Sequence, residues 1–319
     1  MIGAIMAQHG AQIDWIVSAS QAHGAAFAAR HGIARATTDL DAALSDATVE
    51  AVYISSTNEK HHAQAMAALS AGKHVLCEKP LAMTVAQAAE MVETARAAGL
   101  IFATNHHLRC AGSHRAIRAL IAEGRIGRVL SARVLHGVEL PVHLQGWRIN
   151  DAAAGGGVIA DITVHDAVTV RFLLGEDPAD VVAQAGASGL GCGVEDSVMS
   201  VWTMRSGAMV FAHESFTHPF AGTGVEVHGT LGSIFARGVM TQQPVGTVDL
   251  VTAAGHQPVP YARHDLYRQA VQQFAEATVG HGPVAADGTD GVKSLAIALA
   301  VRAAAASGTR VAVDYGFYA

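Results

Sequence analysis

Short β-branched runs alternate with alanine-rich helical stretches through the first third of the chain, and this alternation constrains the fold more than any other feature. Residues 13–17, 51–54, 74–77 and 101–104 read as strands, being short, apolar and bounded by turn or polar residues. Residues 21–31, 59–71 and 85–98 between them read as helices, with Gly32, Gly72 and Gly99 where C-terminal caps are expected. Strands separated by helices of this length build βαβ units, so a parallel sheet is predicted. Residues 1–9 are also helical in composition, with Ile2, Ile5 and Met6 on one side.

The remaining two thirds follow another rhythm. A helix over 113–123 leads into a β-branched run at 129–138, and Gly155-Gly156-Gly157 opens a helix running to about residue 174. Strand-like segments follow at 181–185, 196–204, 209–216, 225–229, 233–235 and 248–251, joined by short glycine-containing turns, which predicts an antiparallel meander. Helices over 265–278 and 291–306 come last. The expected architecture is α/β: a Rossmann-type dinucleotide-binding domain over 1–106 and an α+β substrate domain over 107–319, built on a largely antiparallel open sheet. The active cleft is expected between them.

Composition removes several function classes. With 50% hydrophobic and 15% charged residues the 319-residue chain is not disordered, and a net charge of −6 leaves no basic footprint for nucleic acid. Cys77, Cys110 and Cys192 form no Cys-x-x-Cys pair, which points to a reducing cytoplasm. Residues 1–20 show no secretory pattern, and the most apolar stretch, 295–306, contains Arg302 and is too short for a bilayer. No membrane partner is expected.

A dinucleotide fold normally starts with a strand, a Gly-x-Gly-x-x-Gly turn and a helix facing the pyrophosphate. Here the sequence starts inside what reads as that first helix, and residues 13–17 read as the second strand. The expectation is that Met1 is an internal methionine of a longer natural chain, with a truncated relic as the alternative.

Glu78-Lys79-Pro80 follows a predicted parallel strand at its carboxyl end, where open α/β sheets hold ligands. A lysine there can protonate a carbonyl oxygen as hydride arrives, and a cis bond at Pro80 would aim it into the cleft. The same tripeptide is compatible with a surface turn. Asp161 and His165 fall on a stripe with Val158, Ile162, Val168, Thr169 and Phe172 at 100° per residue, so both are expected to face inward. A core histidine bonded to a carboxylate would explain them; so would an imidazole that hydrogen-bonds or protonates a substrate oxygen, with Asp161 contacting substrate hydroxyls or orienting the site. No further ligand stands at metal-site spacing, so no metal is expected. Ser56-Thr57-Asn58-Glu59 and Asn105-His106-His107-x-Arg109 also follow strands, and Trp147-Arg148 offers an aromatic plate beside a cation.

Glu78-Lys79-Pro80 followed by Gly155-Gly156-Gly157-x-x-x-Asp161-x-x-x-His165 resembles the Gfo/Idh/MocA oxidoreductases. The likeness runs through residues 104–109, 143–148, 161–167 and 240–242 and spans essentially the whole chain. It implies NADPH-dependent reduction of a sugar ketone, 1,5-anhydro-D-fructose going to 1,5-anhydro-D-mannitol. Lys79, Asp161 and His165 would be the catalytic and substrate-orienting residues. Ser18, Ala19, His23, Ser56, Thr57, Asn58, Glu59, Lys60, His61, Glu78, Lys79, Asn105, Trp147, Arg148 and Tyr267 would contact cofactor. An acidic residue in place of Ser18 would bind a ribose 2′-hydroxyl and repel a 2′-phosphate, so serine favours NADP. His23 stands where the related reductases hold that phosphate with arginine. An NAD(P)-dependent sugar or inositol dehydrogenase, and a non-catalytic sugar-binding or regulatory protein on the same fold, are the alternatives. A homo-oligomer through the second domain's sheet is a further expectation.

Overall fold

The computed structural model of the chain describes residues 1–318. Its first part runs α1 (Ile2–Met6), β1 (Trp15–Val17), α2 (Gln21–His31), β2 (Arg35–Thr37), α3 (Leu40–Leu44) and β3 (Ala51–Ile54). It continues with α4 (His61–Ser70), β4 (His74–Cys77), α5 (Val85–Ala97) and β5 (Phe102–Thr104). All pairings here are parallel, β1 with β2 and β3 with β4 with β5. The two groups are not hydrogen-bonded to each other, so β1 and β3 each keep an edge without a neighbouring strand among the described residues. Local sequence sets the helix ends: Ser20 Oγ accepts from His23 N, Thr84 Oγ1 accepts from Gln87 N, and Gly32 ends α2 in the left-handed conformation.

The first part departs from the expectation in two places. β1 omits Ile13 and Asp14, and β2 and α3 went unpredicted because at three and five residues they are too short for periodicity to register. In α1 the buried residue is Ala4, packed with Leu76, Ala103, Val271 and Phe274, while Met6 is exposed. Met1 and Ile5 pack against the same cluster, partly buried.

The second part contains α6 (Gly112–Ala122), β6 (Val129–Gly137), a π-helical turn (Ile159–Thr163), α7 (Val164–Leu174), β7 (Pro178–Gly186), β8 (Ser197–Met204) and β9 (Met209–Ser215). Then come β10 (Thr223–Gly229), β11 (Gly232–Arg237), β12 (Thr247–Thr252), β13 (Gly255–Pro258), α8 (Leu266–Thr278), α9 (Gly288–Ser307) and β14 (Val311–Ala312). They supply a nine-stranded sheet in the order β13-β12-β11-β10-β6-β9-β8-β7-β14. It is antiparallel except at β6–β9. The predicted single meander is therefore two, β7-β8-β9 and β10 to β13, flanking a β6 that the sequence pattern alone could not pair. One sheet face shares a core with α6, α7 and α9; the other leaves Met199, Val201 and Met209 exposed.

The helix predicted from Gly155-Gly156-Gly157 to residue 174 is continuous from Val158, but it contains one π-helical turn, Ile159–Thr163, which widens the spiral and breaks the 100° arithmetic behind the predicted stripe. α9 also crosses the expected division of the chain: Val292 and Leu295 sit in the core of β3–β5, whereas Ala296 to Ala304 contribute to the core of the large sheet. No helix among the described residues is long and apolar enough to cross a membrane.

Candidate active site

β4 lies between β3 and β5 and delivers Glu78 and Lys79 from its carboxyl end. The Lys79–Pro80 peptide is cis. Lys79 Nζ donates to the side chain of Asp161 at 2.6 Å and to its carbonyl oxygen at 2.7 Å, both within the π-helical turn. Arg148, its guanidinium 4.6 Å over the Trp147 ring, brings Nε to 3.6 Å from the same carboxylate oxygen. Burial alone would push the Asp161 carboxyl up; the charges of Lys79 and Arg148, with their hydrogen bonds, overcome it and hold the group below its ordinary range. Asp161 is thus a partly buried anion between two cations.

The glycine run makes this approach possible. Gly155 and Gly157 have φ of 89° and 103°, a region that side chains rarely adopt. A Cβ on Gly155 would meet Asn58 at 2.8 Å, and Asn58 Nδ2 donates to the Gly155 carbonyl at 2.9 Å. The 56–61 loop and the start of the π turn are stitched together there.

Beside the lysine, Glu78 Oε1 accepts from Tyr53 Oη at 2.5 Å and from Asn105 Nδ2 at 2.6 Å. His107 stacks on Tyr267 at 4.6 Å and meets His165 edge-on at 5.1 Å; His106 and His136 lie 6.1 and 6.4 Å from His165. Burial depresses all of these imidazoles: His107 falls to about 3, His136 to about 4, and His106 and His165 well below the usual value. For His165 the next cause is the Lys79 ammonium. His165 is therefore neutral, and its Nδ1 is buried without a partner.

Behind His165 lies a group that sequence reasoning missed. His136 Nδ1 is 2.8 Å from Asp166 Oδ1, and His136 stands opposite Glu214 in the β6–β9 register. Asp166 and Glu214 are fully buried, and burial pushes both carboxyls far up; for Glu214 the neighbouring Asp166 pushes further. The signal was period-two alternation. His136 shares parity with buried Ala132 and Val134, and Glu214 with buried Val210 and Ala212.

The other sequence-predicted residues divide. Trp147, Arg148, Glu78, Asn105 and Tyr267 join the groups above. Ser56 Oγ donates to Gln64 Oε1, Thr57 Oγ1 donates to Glu59 Oε1, and Lys60 lies 3.8 Å from Glu59 on the surface. His61 is buried with Nδ1 2.8 Å from the Pro80 carbonyl, which ties the loop to the turn after Lys79. Ser18 and Ala19 follow β1, and His23 is exposed in the first turn of α2 with no hydrogen bond from its ring. The structure does not bring these three to the Lys79 group.

Residues 1–106 match the oxidoreductase family with an NAD-binding Rossmann fold, and residues 114–235 match the GFO/IDH/MocA C-terminal domain. The chain belongs to the Gfo/Idh/MocA oxidoreductase family. It is 52% identical to 1,5-anhydro-D-fructose reductase of Ensifer adhaerens over 317 residues, covering 99% of this chain and 95% of that protein. Myo-inositol 2-dehydrogenase of Thermotoga maritima is 27% identical over 282 residues, 85% of this chain and 82% of the relative. Among solved structures, aldose-aldose oxidoreductase from Caulobacter crescentus, complexed with glycerol, superposes with a TM-score of 0.88 at 24% identity, covering 98% of this chain and 94% of that one. Levoglucosan dehydrogenase in complex with NADH and levoglucosan gives a TM-score of 0.84 at 24% identity, over 95% and 90% of the two chains.

Proposed function

We propose that this protein is an NADPH-dependent reductase of the C2 ketone of 1,5-anhydro-D-fructose, giving 1,5-anhydro-D-mannitol, in a reducing cytoplasm. The observation that carries the reading is the Lys79–Asp161 contact, which joins an ammonium from one half of the chain to a partly buried carboxylate of the other beside a neutral His165. The 52% identity to a reductase of that sugar supports the substrate. Burial of Cys77 and Cys110 as free thiols supports the compartment.

The strand-end residues fit a nicotinamide dinucleotide. Asn105 Oδ1, His107 Nδ1 and His165 Nδ1 are buried without partners, leaving donors and acceptors for a carboxamide and for sugar hydroxyls. Glu78, Trp147, Arg148, Tyr267 and the 56–61 loop would hold the nicotinamide half, and Ser18, Ala19 and His23 the adenosine half. Ser18 leaves room for a 2′-phosphate where an acidic residue would exclude it. The bound cofactor supplies the hydride to the carbonyl carbon.

Lys79 supplies the proton. Its ammonium, oriented by Asp161, polarises the ketone oxygen, gives up a proton as negative charge develops there, and is recharged from solvent. Neutral His165 is a hydrogen-bond donor to that oxygen rather than the proton source. Asp161 remains anionic throughout and accepts from a sugar hydroxyl. The exposed Met199, Val201 and Met209 would pack against a second copy of the chain.

The test is nicotinamide oxidation followed with NADPH and NADH over anhydroketoses, ketoses and inositol-derived ketones. The expected result is highest kcat/KM for 1,5-anhydro-D-fructose with NADPH. NADH-dependent turnover of an inosose in preference would instead favour the sugar or inositol dehydrogenase reading.

A further inference from the structure

An open cleft of about 800 Å³ lies away from the lysine site, and Lys79, Trp147, Arg148 and Asp161 take no part in its walls. α5 and β5 form one side with Val92, Ala95 and Phe102; α6, α7, α8 and the start of α9 form the other. Four arginines line it: Arg96, Arg109, Arg115 and Arg118.

The acids available to them are already committed. Asp290 receives Arg109 on one carboxylate oxygen and Arg171 on the other, and Asp287 caps the Asp290 amide at 2.8 Å. Arg96 is paired with Glu93 on its own helix. Arg115 and Arg118 have no carboxylate within ion-pair distance among the described residues.

Both are nonetheless held in place. Arg115 donates through Nε to the Arg109 carbonyl at 3.2 Å and through Nη2 to Gln273 at 3.3 Å. The Arg118 guanidinium sits 4.4 Å from the centre of the Phe172 ring, and that of Arg109 lies 5.1 Å from the same centre. Three residues apart on α6, Arg115 and Arg118 share one helix face, where like charges repel unless an anion lies between them.

We infer that this cleft is a binding site for a small organic oxyanion, a phosphate monoester or a polycarboxylate, gripped by Arg115 and Arg118. Planar guanidinium forks match the paired oxygens of phosphate and carboxylate. The cleft falls within the range of about 300–1,000 Å³ typical of small-ligand sites, larger than a bare phosphate needs, and its apolar wall suits a carbon skeleton.

The full chain is titrated calorimetrically at low ionic strength with glucose 6-phosphate, citrate and inorganic phosphate. The comparison proteins are the double variant Arg115→Ser/Arg118→Ser and the charge control Arg237→Ser, an exposed arginine outside the cleft. One of the two organic anions should bind in a one-to-one ratio, at least ten-fold more weakly to the double variant, with the control unchanged. On the unaltered protein the same ligand should slow phenylglyoxal modification of Arg115 and Arg118, a readout independent of how the variant folds. Preference for glucose 6-phosphate or for citrate identifies the source of the oxyanion. The inference fails if neither organic anion binds, if Arg237→Ser weakens binding as much as the double variant does, or if both arginines react equally fast with and without ligand.

Discussion

Asp161, in the π-helical turn, and Asp166, in the first turn of α7, lie five residues apart, yet their surroundings give them opposite charge states. Asp161 faces Lys79 and Arg148 and stays ionised despite burial. Asp166 faces His136 and Glu214, with no permanent cation, and its carboxyl is driven far up. Asp161 is partly exposed and Asp166 fully buried, and the cations beside Asp161 add to that difference. A carboxylate that keeps its charge can orient an ammonium, whereas a carboxyl that keeps its proton can only fill and hydrogen-bond a core.

The largest effect expected from this contrast is on stability against pH. His106, His107, His114, His136 and His165 all have depressed values when folded, His107 to about 3 and His114 and His136 to about 4. The unfolded chain takes up protons on them below about 6.5. Their contribution is therefore lost as pH falls through that value. Asp166 and Glu214 act the other way, their contribution being full below about 4 and lost as pH rises. Together with His61, His74 and His213, which burial also depresses, these imidazoles outnumber the two carboxyls, so urea-unfolding stability should rise between about pH 4 and 6.5, on the order of several kcal/mol, and decline above it. A flat profile would contradict the neutral histidine cluster.

Next in size is Asp161→Leu, which leaves two cations facing a partly buried apolar group. Chemical denaturation should show a loss of about 3–5 kcal/mol. A loss below about 1 kcal/mol would mean that Lys79 and Arg148 reach solvent without their carboxylate. Smallest is Glu214→Gln, because a protonated acid and an amide differ little. Stability near pH 4 should change by less than about 1 kcal/mol, and the decline above pH 6.5 should flatten. If the variant instead collapses at neutral pH, Glu214 is ionised and the contrast with Asp161 is lost.

Much of this arrangement could be read from the chain, and the unread parts share a physical cause. The turn after β4 was legible because the predicted strand 74–77 ends directly before Glu78-Lys79-Pro80. Asp161 and His165 were legible as inward-facing polar residues, but the helical wheel behind that reading assumed α geometry, and the π-helical turn replaces it. His136 and Glu214 were hidden because they meet only through the parallel β6–β9 pairing, a long-range contact that no local period encodes. The return of α9 to the β3–β5 core was hidden for the same reason. Local chemistry reads from sequence; which elements become neighbours does not.

The central claim is that the Lys79 ammonium, held by Asp161, protonates the sugar oxygen. It is tested most directly by single-turnover NADPH oxidation with 1,5-anhydro-D-fructose in Lys79→Met, alongside NADPH binding by nicotinamide fluorescence. The account predicts a fall in the hydride-transfer rate of about 10²–10⁴-fold with cofactor binding retained. A rate within a few-fold of the unaltered protein would contradict it.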